Sequence, residues 1–179
     1  IRGCDATRFT ELRALEPYYH ARPWSAALAG KRVLVVHPFR RTILAQYEKR
    51  AQLFPGKDVL PELASLTVIQ AVQGLGGQDT GYADWFDALT EMERRMDAAD
   101  YDVAIVGAGA YSLPLAAHAR GTGHAAIQMS GATQLLFGIK GKRWDDHPVI
   151  SKLYNPAWVR PDETEGISNK EKVEGGSYW

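Results

Sequence analysis

A three-layer α/β fold, a mostly parallel sheet with helices on both faces, is what this 179-residue sequence predicts. Three observations carry the prediction. Segments 33–37, 66–72, 102–107 and 125–129 are near-continuous apolar runs rather than alternating ones, the pattern of strands covered on both faces. Stretches of helical length and period separate them, so strand and helix alternate along the chain, which is the mark of a parallel sheet. Small, glycine-bearing turns follow the third and fourth runs. Right-handed crossovers leave few arrangements, and the preferred strand order is 2-1-3-4.

Each element has its own reason. Residues 7–15 are expected to form a short helix with Phe9, Leu12 and Leu15 on one side, stopped by Pro17. An aromatic stretch, 18–24, precedes Ser25, the expected cap of a short helix that reaches Leu28 and stops at Gly30. The first strand ends at His37 and Pro38. From 41 to 54 the pattern is helical, with Ile43, Leu44, Tyr47, Ala51 and Phe54 near one face, and Pro55 and Gly56 open a turn. After the second strand, Gly74, Gly76, Gly77 and Gly81 mark a flexible connection. An amphipathic helix over 84–99 carries a core stripe of Trp85, Leu89, Met92 and Met96, and its first-turn Asp84 and Asp87 complement the helix dipole. The third strand feeds a glycine turn, 107–112, and a helix over 113–120 with Pro114 in its first turn. The fourth runs into 130–134 and a short helix through Phe137. One or two further helical turns are expected over 149–154. Residues 1–155 thus form the α/β domain, and 156–179, polar and glycine-bearing, are expected as a C-terminal tail or long loop.

Composition narrows the function. Lys+Arg and Asp+Glu are 21 each, so the net charge is zero and the basic excess of a nonspecific nucleic-acid binder is absent. No apolar run approaches the ~18 residues of a membrane span. Cys4 is the only cysteine, so neither an intrachain disulfide nor a cysteine-rich zinc site is available. Cys4 has no activating neighbours and is not expected as a nucleophile. A reducing, cytoplasmic compartment is the expectation.

Strand order 2-1-3-4 reverses direction between the first and third strands. Ligands bind in the crevice outside the carboxyl ends of strands at such a switch point. His37 leaves the first strand there. Gly107, Gly109, Tyr111 and Ser112 form the turn after the third, where small residues let backbone N–H groups approach an anion such as a diphosphate. The dinucleotide fingerprint is incomplete, with Ser112 at its sixth position, and no Walker loop is present. A tight turn with no ligand is the alternative. Ser130, Gly131, Thr133 and Gln134 make a second small loop, which either binds a sugar or phosphate or caps the next helix. Lys142, Arg143 and Trp144 offer charge for a departing diphosphate and a ring for stacking, unless they form a solvated basic loop. Asp145, Asp146 and His147 are adjacent carboxylates and imidazole, candidates for a general base more than for a cation site.

The stretches GKRVLVVHPFRRTI, QYEKRAQLF, VLPEL, WFDAL, DYDVAIVGAGAYSLPLAAHA and GATQLLFGIKGKRWDDHPVISK resemble the C-terminal part of bacterial glycosyltransferases encoded among surface-polysaccharide genes. The resemblance runs from about Leu15 to Trp179 and extends, more distantly, to glycosyltransferases of the GT-D type, which are Rossmann-like. It implies transfer of a sugar from a nucleotide-sugar donor to a glycan or glycolipid acceptor, with Mn or Mg held by an Asp-x-Glu motif ahead of the first strand. No Asp-x-Glu precedes Lys31, so the motif is expected upstream of Ile1 or lacking in this group, and no metal ligand is carried over. On this reading the amides of Gly109 and Tyr111, with Lys142 or Arg143, stabilise the diphosphate, Tyr111 or Trp144 stacks, and His37 or Asp146 is the base. A non-catalytic nucleotide- or sugar-binding module and another nucleotide-dependent enzyme are the rivals. A homo-oligomer is also open, with aromatics of 18–24, Trp158 and Trp179 as interface candidates.

Overall fold

A computed structural model describes residues 10–74 and 79–179. Cys4, the 7–9 part of the first expected helix, and Gly76 and Gly77 lie outside them. Four strands, β1 (Arg32–His37), β2 (Ser65–Gln70), β3 (Val103–Val106) and β4 (Ala125–Gln128), form one sheet, ordered β2-β1-β3-β4 and parallel at every pairing. Registers pair Val35 with Val68 and with Ile105, and Ile105 with Ile127. The expected Rossmann-like α/β architecture and strand order are therefore those of the molecule.

Among the described residues five α-helices accompany the strands: α1 (Arg40–Tyr47), α2 (Arg50–Leu53), α3 (Trp85–Asp97), α4 (Ser112–Gly121) and α5 (Ala132–Leu136). They explain why the strands read as unbroken apolar runs. Val33, Val35 and Ile105 face a core that includes Ile43, Leu53 and Leu136, whereas Leu34, Val36, Ala104 and Val106 face Met92, Met96 and Leu115. Met92 and Met96 are fully buried, as their stripe requires, with half-buried Leu89 and Trp85 beside them. Asp84 is the N-cap of α3: its Oδ1 accepts from the Asp87 N–H at 2.8 Å, and the Asp87 carboxylate accepts from the Ala83 N–H at 3.2 Å. The Asp84 carboxylate therefore satisfies an N–H group that a helix start leaves open, and that of Asp87 holds the residue ahead of the cap. Among the described residues no helix is long and apolar enough to cross a membrane.

Several local expectations need correction. The helix over 41–54 is broken, because Lys49 leaves helical geometry (φ −101°, ψ 11°). The break shifts the phase, so Ala51 is exposed and Leu53 takes the buried position. Among the described residues of the first expected helix, 10–15, the regular structure is a 3-10 turn, Leu12–Leu15, and Leu12 is 72% exposed. Ser25 caps nothing: it lies inside a 3-10 turn, Trp24–Leu28, where its buried hydroxyl donates to the Val59 carbonyl at 2.6 Å. Of the aromatics expected at an interface, Tyr18 and Trp158 belong to the core, 1% and 3% exposed.

Residues 156–179 contain no α-helix or strand, only three 3-10 turns and the isolated bridge of Val159 to Ile139, yet they are packed on the domain. Trp158, Ile167 and Val173 are buried, and so is Glu165. The Glu165 carboxylate accepts the backbone N–H groups of Arg41 and Thr42 and, at 2.6 Å, the Thr42 hydroxyl. It thereby satisfies the first turn of α1 from more than 120 positions away. We call residues 162–179 the strap.

Candidate functional site

Because β1, β3 and β4 are neighbours, the three turns that leave their carboxyl ends meet on one rim. The β3 and β4 turns touch. A Cβ on Gly107 would lie 2.5 Å from Thr133 Oγ1 and 2.6 Å from the Ser130 carbonyl oxygen, so only glycine fits there. Each turn also changes backbone hand. Ala108 (φ −126°, ψ 32°) is followed by left-handed Gly109 (φ 56°), and left-handed Ser130 (φ 47°) by right-handed Gly131 (φ −61°, ψ −24°). Successive residues of opposite hand turn consecutive N–H groups to one side, a concavity suited to an anion. The N–H groups of Gly109, Ala110, Ser130 and Gly131 have no acceptor among the described residues.

His37, Phe39, Gly107, Gly109, Ser130, Gly131 and Gln134 line a cavity of about 230 Å³ between these tips. It adjoins one of about 350 Å³, which shares Ser130, Gly131 and Tyr178, and one of about 410 Å³, which shares Pro38 and Gly109. The strap crosses the rim, and its Val173, Glu174, Tyr178 and Trp179 complete the wall of the first cavity. Trp179 meets Phe39 edge-on, with centroids 6.0 Å apart. The Gln134 amide is clamped beneath it, donating to the carbonyls of Tyr178 at 3.1 Å and Lys140 at 3.3 Å.

The structure sorts the residues singled out in the sequence. Gly107, Gly109, Ser130, Gly131, Gln134 and His37 line the central cavity. Tyr111 faces the third cavity and stacks on Trp85, centroids 5.0 Å apart. Its N–H already donates to the Ala108 carbonyl, so the Ala110 amide, not that of Tyr111, is open to a ligand. Ser112 is fully buried, and its Oγ accepts from the Ala108 N–H at 2.7 Å, which holds the turn and leaves the side chain off the cavity. Thr133 is likewise buried, against Gly107. Arg143 and Trp144 line the second cavity. Lys142 and Asp146 are exposed and line none of these three cavities, and Lys142 reaches the strap only through its backbone N–H, which donates to the Trp179 carbonyl. Asp145 pairs with Arg160 at 2.7 Å. The 142–146 loop therefore does not deliver a base to the cavity.

His37 also departs from the expected role. It is 3% exposed, and its Nδ1 accepts from the Phe39 N–H at 3.1 Å, which places the proton on Nε2. The edge left over is a donor, whereas a base needs the lone pair that Phe39 occupies. Burial lowers its pKa to about 3. In the unfolded chain the same ring takes a proton near pH 6.5, so between these values the unfolded state binds more protons and folding stability falls as the pH drops. Above about pH 6.5 the contribution is flat. Urea unfolding from pH 7 to pH 4 should show this loss, up to about 1.4 kcal/mol per pH unit, and His37→Gln should reduce the slope. An unchanged slope would mean that His37 is not held neutral.

Sequence reasoning missed the strap. Val173, Glu174, Tyr178 and Trp179 sit in a polar, glycine-bearing segment, and the Gly175-Gly176 pair before Tyr178-Trp179 was the only local signal.

No family model, curated protein or solved structure matches this chain. The site must speak through its own geometry. Among the described residues no three His, Cys, Asp or Glu side chains come together to hold a metal ion. These residues thus do not fit the divalent cation that the resemblance implies, and no step is drawn through one.

Proposed function

We propose that this chain binds the diphosphate of a nucleotide-sugar at the rim and, as a glycosyltransferase, passes the sugar to a glycan or glycolipid acceptor. One observation carries the reading: two touching turns beside the switch point of the sheet each change backbone hand, and four of their N–H groups have no acceptor among the described residues. The donors are fixed by the turns themselves, so they need little reorganisation to receive charge that develops on a leaving diphosphate. The row of three cavities leaves space on either side for a nucleoside and a sugar. Rings are available at both ends, Trp85 with Tyr111 on one and Trp144 with Tyr178 on the other.

A second reading, a binding module without catalysis, is favoured by the placement of His37 as a donor and of Asp146 outside the cavities. Both readings require the diphosphate. Titration calorimetry with UDP, GDP and dTDP, with and without Mn²⁺, should show millimolar or tighter binding, about −4 kcal/mol or better. No heat with any of them would remove both.

A further inference from the structure

We propose that Glu174 is the general base of the transfer, taking the proton of the acceptor hydroxyl. The inference rests on the glycosyltransferase reading of this same rim. Three observations point to Glu174. Among the described residues it is the sole acidic side chain lining the central cavity. It lies at the boundary with the second cavity, because it pairs at 3.4 Å with Arg143, which lines that cavity and packs over the Tyr178 ring 4.9 Å away. It is also one of two non-glycine residues with positive φ among those described, at 49°, and left-handed Gly175 and Gly176 follow it. A side chain other than glycine, asparagine or aspartate seldom adopts this backbone, and such residues cluster where position matters more than local stability.

The chemistry follows from that placement. A sugar ring in the central cavity presents its anomeric carbon between the rim amides and the strap. An acceptor hydroxyl enters through the second cavity, where the carboxylate of Glu16 is already engaged, accepting from the Tyr18 hydroxyl at 3.0 Å. The hydroxyl oxygen forms the new bond to the anomeric carbon. The bond from that carbon to the diphosphate oxygen breaks, and its electron pair leaves with the diphosphate toward the rim N–H groups. The hydroxyl proton passes to the Glu174 carboxylate, whose side chain is 59% accessible. Arg143 keeps the carboxylate at the boundary.

The test uses the whole chain and four probes: UDP-glucose, UDP-N-acetylglucosamine, GDP-mannose and dTDP-rhamnose, with and without Mn²⁺, with water or free hexose as acceptor and released nucleoside diphosphate as the readout. Glu174→Gln should bind nucleoside diphosphate within about threefold of wild type and melt at the same temperature. Its turnover should fall about 10²–10⁴-fold, the usual contribution of a positioned base. Azide, a nucleophile with no proton to lose, should restore nucleotide release in the variant. Wild-type turnover in Glu174→Gln overturns the assignment, and so does loss of turnover that azide leaves unrescued or that a loss of nucleotide affinity explains. Nucleotide binding by the wild type with no release from any donor overturns it and leaves the binding reading standing. No nucleotide binding at all sinks the underlying reading instead.

Discussion

Glu165→Ala should lower the free energy of unfolding by about 3 kcal/mol and loosen the strap before the rest of the domain melts. Glu165 is 2% exposed and satisfies the Arg41 N–H, the Thr42 N–H and the Thr42 hydroxyl together. Truncation leaves these donors without their acceptor, at a cost of about 1–3 kcal/mol for each one that water does not reach. Nearby ties are lighter. The Asp162 N–H donates to Thr42 Oγ1 at 2.9 Å, and Arg41 donates to Thr164 Oγ1 at 3.1 Å. Glu165→Gln keeps one carbonyl oxygen but puts an amide NH₂ where the carboxylate oxygen accepted from donors, so it should recover only part of the loss. Urea denaturation gives the free energies, and limited trypsin digestion reports the strap, since Lys170 and Lys172 lie in it. A Glu165→Ala protein with wild-type midpoint and wild-type cleavage would show that the carboxylate is dispensable.

Gly107→Ala should be as damaging, about 3 kcal/mol or failure to fold, through overpacking rather than lost hydrogen bonds. The added methyl would meet Thr133 Oγ1 at 2.5 Å, the Ser130 carbonyl oxygen at 2.6 Å and Thr133 Cβ at 2.8 Å. One of these is backbone, and Thr133 is wholly buried, so neither neighbour yields cheaply. Overpacking a full core typically costs about 1–3 kcal/mol, more when backbone must move. Relief must come from spreading the β3 and β4 turns, so nucleoside diphosphate binding should fall with stability. Gly109→Ala is the informative control. At Gly109 a Cβ meets nothing within 4 Å, and the only penalty is the positive φ of 56°. Thermal melts of the two variants should therefore separate clearly, with Gly107→Ala the lower, and equal melting temperatures would contradict the contact between the turns.

The sheet and its order were legible because strands buried on both faces leave an uninterrupted apolar signature, as 33–37 and 102–107 do. The rim followed from topology, since Gly107, Gly109, Ser130 and Gly131 are small residues at strand ends. Roles were harder to read than places. Whether His37 presents a lone pair or a proton depends on the Phe39 N–H two residues on, a matter of turn geometry that no spacing reveals. Ser112 has the composition of a ligand-binding residue but spends its hydroxyl on the Ala108 amide. The break after α1 left no mark because Ala51 and Phe54 continue a plausible helical stripe, while one tie of this region to the C-terminal part is polar: buried Gln46 donates to the carbonyls of Gly138 and Ala157. The strap left least trace. It is held by single polar residues reaching across 123 positions at Glu165 and 44 at Gln134, and local periodicity carries no record of such pairings.

A segment that fastens one helix and also walls a cavity joins two equilibria. Whatever favours its docked form favours occupancy of the cavity, and by reciprocity an occupant must resist its release by an equal free energy. Saturating nucleotide would then protect Lys170 and Lys172 from a protease that touches neither the ligand nor the turns beneath it, and damage at Glu165, remote from the rim amides, would surface as weakened affinity.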